Sequence, residues 1–161
     1  DAFFISAYFN GKPGVVFLDA KMFKYPILGY FLKKVGAIAI NGKKVKGTKS
    51  AFEKSLKALK ILNLFIFPEG TRTLDGNLSK VKYGAAKLAV ETKKRILPLG
   101  LAGSYEFSNK KSWLLTPSKV VLYTGCPIEY HGNDKEELTS IIRFEIRSCI
   151  KQAEKIRKHL T

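Results

Sequence analysis

Histidine, cysteine and long uncharged runs are scarce in this chain of 161 residues, which has 2 His and 2 Cys. No apolar stretch approaches the ~20 residues that a membrane-spanning helix needs. Cys126 and Cys149 stand apart with no CxxC pair and no histidine cluster. Neither a disulfide framework nor a zinc site is therefore expected, and a reducing compartment fits best. Only His131 and His159 offer an imidazole. One lies in a Gly/Asn turn and the other at a helix end, so both read as surface residues rather than metal ligands or members of a Ser/His/Asp triad. Acidic residues are also few, with 13 Asp plus Glu against 29 Lys plus Arg, a formal charge of +16. Such an excess favours an anionic partner, whether nucleic acid, an anionic membrane surface or a phosphorylated substrate. The lysines are spread in pairs such as Lys33-Lys34 and Lys93-Lys94 without a nucleic-acid signature, and nucleic acid is not expected.

What is present is a foldable core. Hydrophobic residues make up 45% of the chain, with 11 Phe, 7 Tyr and 1 Trp, and the length suits one domain over residues 1–161. The sequence opens on Asp1 with neither an initiator Met nor a targeting segment, and is read as starting inside a longer protein.

Strand and helix signals alternate. Residues 14–18, bounded by Pro13-Gly14 and Asp19, and residues 36–40, 62–67, 96–101 and 120–123 are short apolar runs read as strands, the third ended by Pro68. Between the first two, Lys21 to Lys34 reads as two helical pieces broken at Pro26. Ser50 with Glu53 forms a capping box for a helix to about Lys60, and another helix is expected from Gly84 to Lys93. The last helix is expected to be capped by Asn133 with Glu136. Its apolar stripe is Leu138, Ile142, Ile146, Cys149, Ala153, Ile156 and Leu160. The fold class is therefore α/β, a single domain with a mixed, largely parallel sheet and helices on both faces.

Ligands in such folds gather at the carboxyl ends of strands. The loop Phe67-Pro68-Glu69-Gly70-Thr71-Arg72-Thr73 lies directly after one. Gly70 allows close backbone approach, Thr71 brings a hydroxyl, and Arg72 brings a planar fork suited to phosphate. Glu69 is its only carboxylate, suited either to accept a hydrogen bond from a substrate hydroxyl or to orient Arg72.

This loop resembles the glycerol-phosphate-binding block of the 1-acyl-glycerol-3-phosphate acyltransferase family, which acylates lysophosphatidic acid to phosphatidic acid. Residues 36–40 resemble the family's second block. Ile96-Leu97-Pro98-Leu99-Gly100-Leu101 resembles its fourth, which places Pro98 on the acyl-donor side. Residues 78–85 resemble the loop in which a lysine precedes a helix-opening glycine, making Lys82 a second phosphate ligand. Asp1-Ala2-Phe3-Phe4-Ile5 resembles the end of the first block, a histidine, four residues and an aspartate. Asp1 is then the catalytic aspartate, and its histidine lies five positions earlier, outside this sequence. Where the family's second block usually ends in arginine this chain has Gly42, and Lys43 or Lys44 is left to reach the same anion.

The resemblance implies a lysophospholipid acceptor and acyl-CoA or acyl carrier protein as donor. It implies no metal or tightly bound cofactor, and a place at the cytoplasmic face of the membrane. Acylation of another lysophospholipid is the alternative within the class. The competing class is a non-catalytic basic module binding anionic lipid or nucleic acid. Two lysine-flanked apolar segments, Lys21–Lys34 and the one around Trp113-Leu114-Leu115, suit either a membrane interface or the core.

Overall fold

The strand β1, Gly14–Asp19, lies between β2, Ile38–Ile40, and β3, Asn63–Phe65, in the order β2-β1-β3. Both neighbours run parallel to it, with Leu18 opposite Ala39 and Val15 opposite Leu64. In the computed structural model the described residues are Ile5, 14–19, 24–26, 29–30, 38–40, 45–70, 77–107 and 117–160. Contacts divide the chain into two units, Phe9–Gly70 and Asp1–Tyr8 with Thr71–Thr161.

In the first unit, parallel strands cannot be joined by a tight hairpin, and helix α1, Val45–Ala58, makes the connection from β2 to β3. It touches both strands and buries Ala51 and Ser55, whose hydroxyl donates to the Ala51 carbonyl at 2.6 Å. The expected capping box is corrected here: the helix starts at Val45, and Ser50 and Glu53 are exposed positions inside it. Gly47 and Thr48 are poor helix formers, so propensity placed the start too late. The expected strand 62–67 also shortens, because the Leu62 N–H still donates to the Ala58 carbonyl at 2.8 Å as the helix unwinds. Pro26 starts a helical turn, as expected, with Gly29 N donating to Tyr25 O at 2.6 Å. Tyr25 and Tyr30 beside it are 65% and 66% exposed.

The second unit contains α2, Gly84–Thr92, β4, Leu99–Ala102, α3, Ser104–Phe107, β5, Val121–Thr124, and α4, Lys135–Leu160. Strands β4 and β5 pair antiparallel, Leu99 opposite Thr124, and the ladder resumes at an isolated bridge between Ile96 and Ile128. Three steps from Leu99 to Ile96 face four from Thr124 to Ile128, which places one extra residue on the second side, a bulge. The expected strand 96–101 is broken there because Pro98 has no N–H to donate; its carbonyl accepts from Gly125 N at 3.0 Å.

The core of this unit is Leu138 and Ile142 of α4 against Val81, Ala86, Ala89 and Val90. Alanines on α2 let the two helices approach closely. The stripe expected on α4 holds at Leu138, Ile142, Cys149 and Ala153 and then emerges, with Ile156 40% and Leu160 55% exposed. The cap is corrected from Asn133 to Asp134, whose Oδ1 accepts from the N–H groups of Glu136 and Glu137 at 2.8 and 3.2 Å. Asn133 Oδ1 instead accepts from Lys93 Nζ at 3.3 Å, tying the end of α2 to the start of α4. Lys93 itself takes the left-handed conformation at φ 53° that closes α2.

The sequence pattern and the structure agree on the α/β class. The described strands form one parallel set of three and one antiparallel pair.

Candidate active site

The loop after β3 starts as a tight turn. Gly70 N donates to the Phe67 carbonyl at 3.1 Å, so Phe67-Pro68-Glu69-Gly70 closes an i to i+3 ring. Proline presets the φ of the second position. Gly70 has φ 67°, a left-handed conformation that a side chain would strain. The turn therefore fixes where the chain leaves the strand. Glu69 is part-buried and Gly70 exposed. Thr71 and Arg72, the next two residues, lie outside the described residues, as do Asp1, Lys43 and Lys44.

In the second unit, Lys82 is exposed two residues before α2. No side chain caps that helix at Tyr83, and a Cβ built at Gly84 would meet nothing within 4 Å. The start of α2 thus has room at Gly84 and an exposed cation two residues earlier, and a helix N-terminus favours a phosphate or carboxylate. Pro98 is fully buried. A Cβ on Gly125 would come within 3.0 Å of its ring, and its carbonyl lies 3.7 Å from the buried Cys149 thiol. Burial raises the pKa of that thiol, with a further push from the Glu145 charge, so it stays protonated and unreactive. Cys126 is exposed, and neither cysteine is in a disulfide.

Sequence reasoning missed a polar cluster around Arg157. Its Nη1 donates to Glu106 Oε1 at 2.6 Å and its Nη2 to Ser118 Oγ at 3.1 Å. The arginine hydrogen bond holds the Glu106 carboxyl below the usual carboxylate range. The signal was there: Arg157 follows Ala153 by four residues, on the edge of the apolar stripe, where a cation needs a partner. His131 and His159 are both exposed. Among the described residues no three His, Cys, Asp or Glu side chains stand together as a metal site, and no helix is long and apolar enough to cross a membrane.

Comparison with known proteins bears on the loop and its surroundings. A protein of Borreliella burgdorferi named 1-acyl-sn-glycerol-3-phosphate acyltransferase is 27% identical over 154 residues, covering 88% of this chain and 58% of that protein. A chloroplastic protein of the same name from Arabidopsis thaliana is 30% identical over 127 residues, covering 78% of this chain and 35% of that one. The crystal structure of the 1-acyl-sn-glycerophosphate (LPA) acyltransferase of Thermotoga maritima superposes with a TM-score of 0.72 at 24% identity. That match spans 89% of this chain and 57% of that one, and it shows a shared fold. The chain thus spans 58% and 35% of the length of the two relatives. The model of the acyltransferase family, described by that word alone, matches residues 1–102, a stretch that contains the Phe67–Gly70 turn, Lys82 and Pro98. With more than half of its length matched, this chain belongs to the acyltransferase family.

Proposed function

We infer that the protein transfers a fatty acyl group from a thioester carrier to the free hydroxyl of 1-acyl-glycerol-3-phosphate, giving phosphatidic acid. The observation that carries this reading is the Phe67–Gly70 turn at the end of a parallel strand, followed at once in sequence by Thr71 and Arg72. The names of the relatives support it. The accompanying fold reading, a mixed, largely parallel sheet covered on both faces, is supported by the β2-β1-β3 set and by the likeness to the Thermotoga maritima structure.

In this mechanism a histidine five positions before Asp1 removes the proton of the acceptor hydroxyl, and Asp1 holds the imidazole in the required tautomer. The alkoxide attacks the thioester carbonyl. Collapse of the tetrahedral intermediate expels the carrier thiolate, which takes the proton back from the imidazolium. The thioester is already activated, so neither an acyl-enzyme nor a cofactor is needed. Arg72 clamps the acceptor phosphate through its fork, Lys82 and the start of α2 add a point charge and backbone donors, and Lys43 or Lys44 serves where Gly42 replaces the arginine. Thr71 and Gly70 are assigned to the acceptor phosphate as well, and Glu69 to the acceptor hydroxyl or to Arg72. Holding both reactants in register supplies much of the rate. Buried Pro98 acts on the donor side through the strand that it starts. The donor is acyl-CoA or acyl carrier protein, and the enzyme works at the cytoplasmic face of an anionic membrane.

The test is an acyl-transfer assay on the full-length protein with lysophosphatidate and an acyl thioester. Turnover should vanish in a variant lacking the histidine. Arg72→Ala should lower kcat/KM roughly 10- to 100-fold, mainly through KM, the value of about 1.5–3 kcal/mol for a charge-assisted hydrogen bond. A well-folded full-length protein that turns over no lysophospholipid would sink the reading and leave a basic binding module.

A further inference from the structure

Helix α4 turns one face to the core and a different chemistry to solvent. Arg143, Arg147, Lys151 and Lys155 follow one another at a spacing of four, and all are exposed. At 1.5 Å per residue the row is about 18 Å long. Like charges four apart on a helix repel and destabilise it. The helix dipole favours cations only in the last turn, and all four lie outside it. None of the four makes an ion pair among the described residues. Phe144, also on the solvent side and a helical neighbour of Arg147 three residues on, is 70% exposed.

A row of cations with no ion pair among the described residues fits a counter-surface of negative charge. We propose that this face of α4 is the surface by which the protein lies on an anionic lipid bilayer, the four cations meeting phospholipid headgroups and Phe144 entering the interface. The inference rests on the reading that the acceptor is an anionic lipid, and it says which surface faces that lipid. A bilayer suits the row better than an acidic protein does. A stable protein interface needs about 800 Å² per partner with anchors seated in pockets, and this face offers one aromatic on a convex ridge. A charged plane needs no pocket, and each cation near it adds to the attraction.

The test uses the full-length protein with Ser148, exposed beside the row, changed by Ser148→Cys and labelled with a polarity-sensitive dye. Cys126 and any other accessible cysteine are replaced by Ser, and buried Cys149 is kept. Phosphatidylcholine vesicles containing phosphatidylglycerol should shift the dye to the blue, while pure phosphatidylcholine should not. Changing Arg143, Arg147, Lys151 and Lys155 together to Gln should weaken that response at least about tenfold without lowering the melting temperature. The same loss of charge at exposed Lys54, Lys57, Lys60 and Lys94 should change it less than about twofold. No blue shift on anionic vesicles, an equal loss in both quadruple variants, or a shift produced by an acidic acyl carrier protein without lipid would each overturn the proposal. Acyl transfer is assayed on the same preparations with monomeric lysophosphatidate. An inactive protein whose dye still shifts contradicts the reaction alone, and an active one whose dye does not shift contradicts the docking face alone.

Discussion

Gly100 sits in β4 where helix α4 crosses it, and a Cβ there would stand 2.3 Å from the Cys149 carbonyl carbon and 2.4 Å from Ile150 N. Both are backbone atoms of a helix, so nothing small can give way. Gly100→Ala must lift α4 off the strand pair, and it should cost about 1–3 kcal/mol or more. A lower denaturant midpoint at unchanged slope in equilibrium unfolding would register that loss; an unchanged midpoint would mean that α4 does not press on this strand. The apolar run around Gly100 was legible in the sequence as a strand. The reason for a glycine within it was not, since it comes from a helix some fifty residues later in the chain, and local patterns do not encode such a crossing. The residues of the loop after β3 are the opposite case. Glu69, Gly70 and Arg72 stand out because their types are rare together, and the Gly70 turn conforms to what its residue order demands.

Among the elements, α4 was the most legible, because its stripe repeats over many turns and both ends carry signals. Its cap was still misplaced by one residue. Asn133 and Asp134 are both good capping types, and only the fold decides between them, by committing Asn133 to Lys93 and leaving Asp134 to accept from two helix N–H groups. Asp134→Ala should therefore destabilise the protein by about 1 kcal/mol, while Asn133→Ala, which loses one exposed bond, should cost less. Thermal melting of the two variants side by side checks the order; a larger loss at Asn133 would restore the cap read from sequence. Tyr130 adds to this corner. Its hydroxyl donates to Glu137 Oε2 at 2.5 Å, and that bond raises the phenol pKa. Helix α1 was harder to read, since its first turns contain Val45, Gly47 and Thr48, and a helix that tertiary contacts hold together does not announce itself by propensity. The break in the expected strand 96–101 was in principle readable from Pro98 alone, because a residue without an N–H leaves a gap in any ladder.

For the whole molecule the governing quantity is the charge of +16, which acts in opposite directions on folding and on the lipid binding proposed above. Self-repulsion among 29 cations disfavours the compact state, and ion pairs such as Arg95–Glu129 and Arg157–Glu106 offset part of it. Attraction to an anionic bilayer draws on the same cations. Added salt shortens the screening length from about 30 Å at 0.01 M to about 10 Å at 0.1 M, and so weakens both effects. Raising sodium chloride over that range should therefore raise the melting temperature while it lowers the affinity for phosphatidylglycerol vesicles. The pair of responses separates charge from hydrophobic attachment: salt strengthens or leaves unchanged an apolar anchor, so vesicle binding that persists at high salt would assign the membrane contact to apolar segments instead of to the cationic face of α4. A melting temperature that falls with salt would mean that favourable ion pairs, rather than repulsion, dominate the surface.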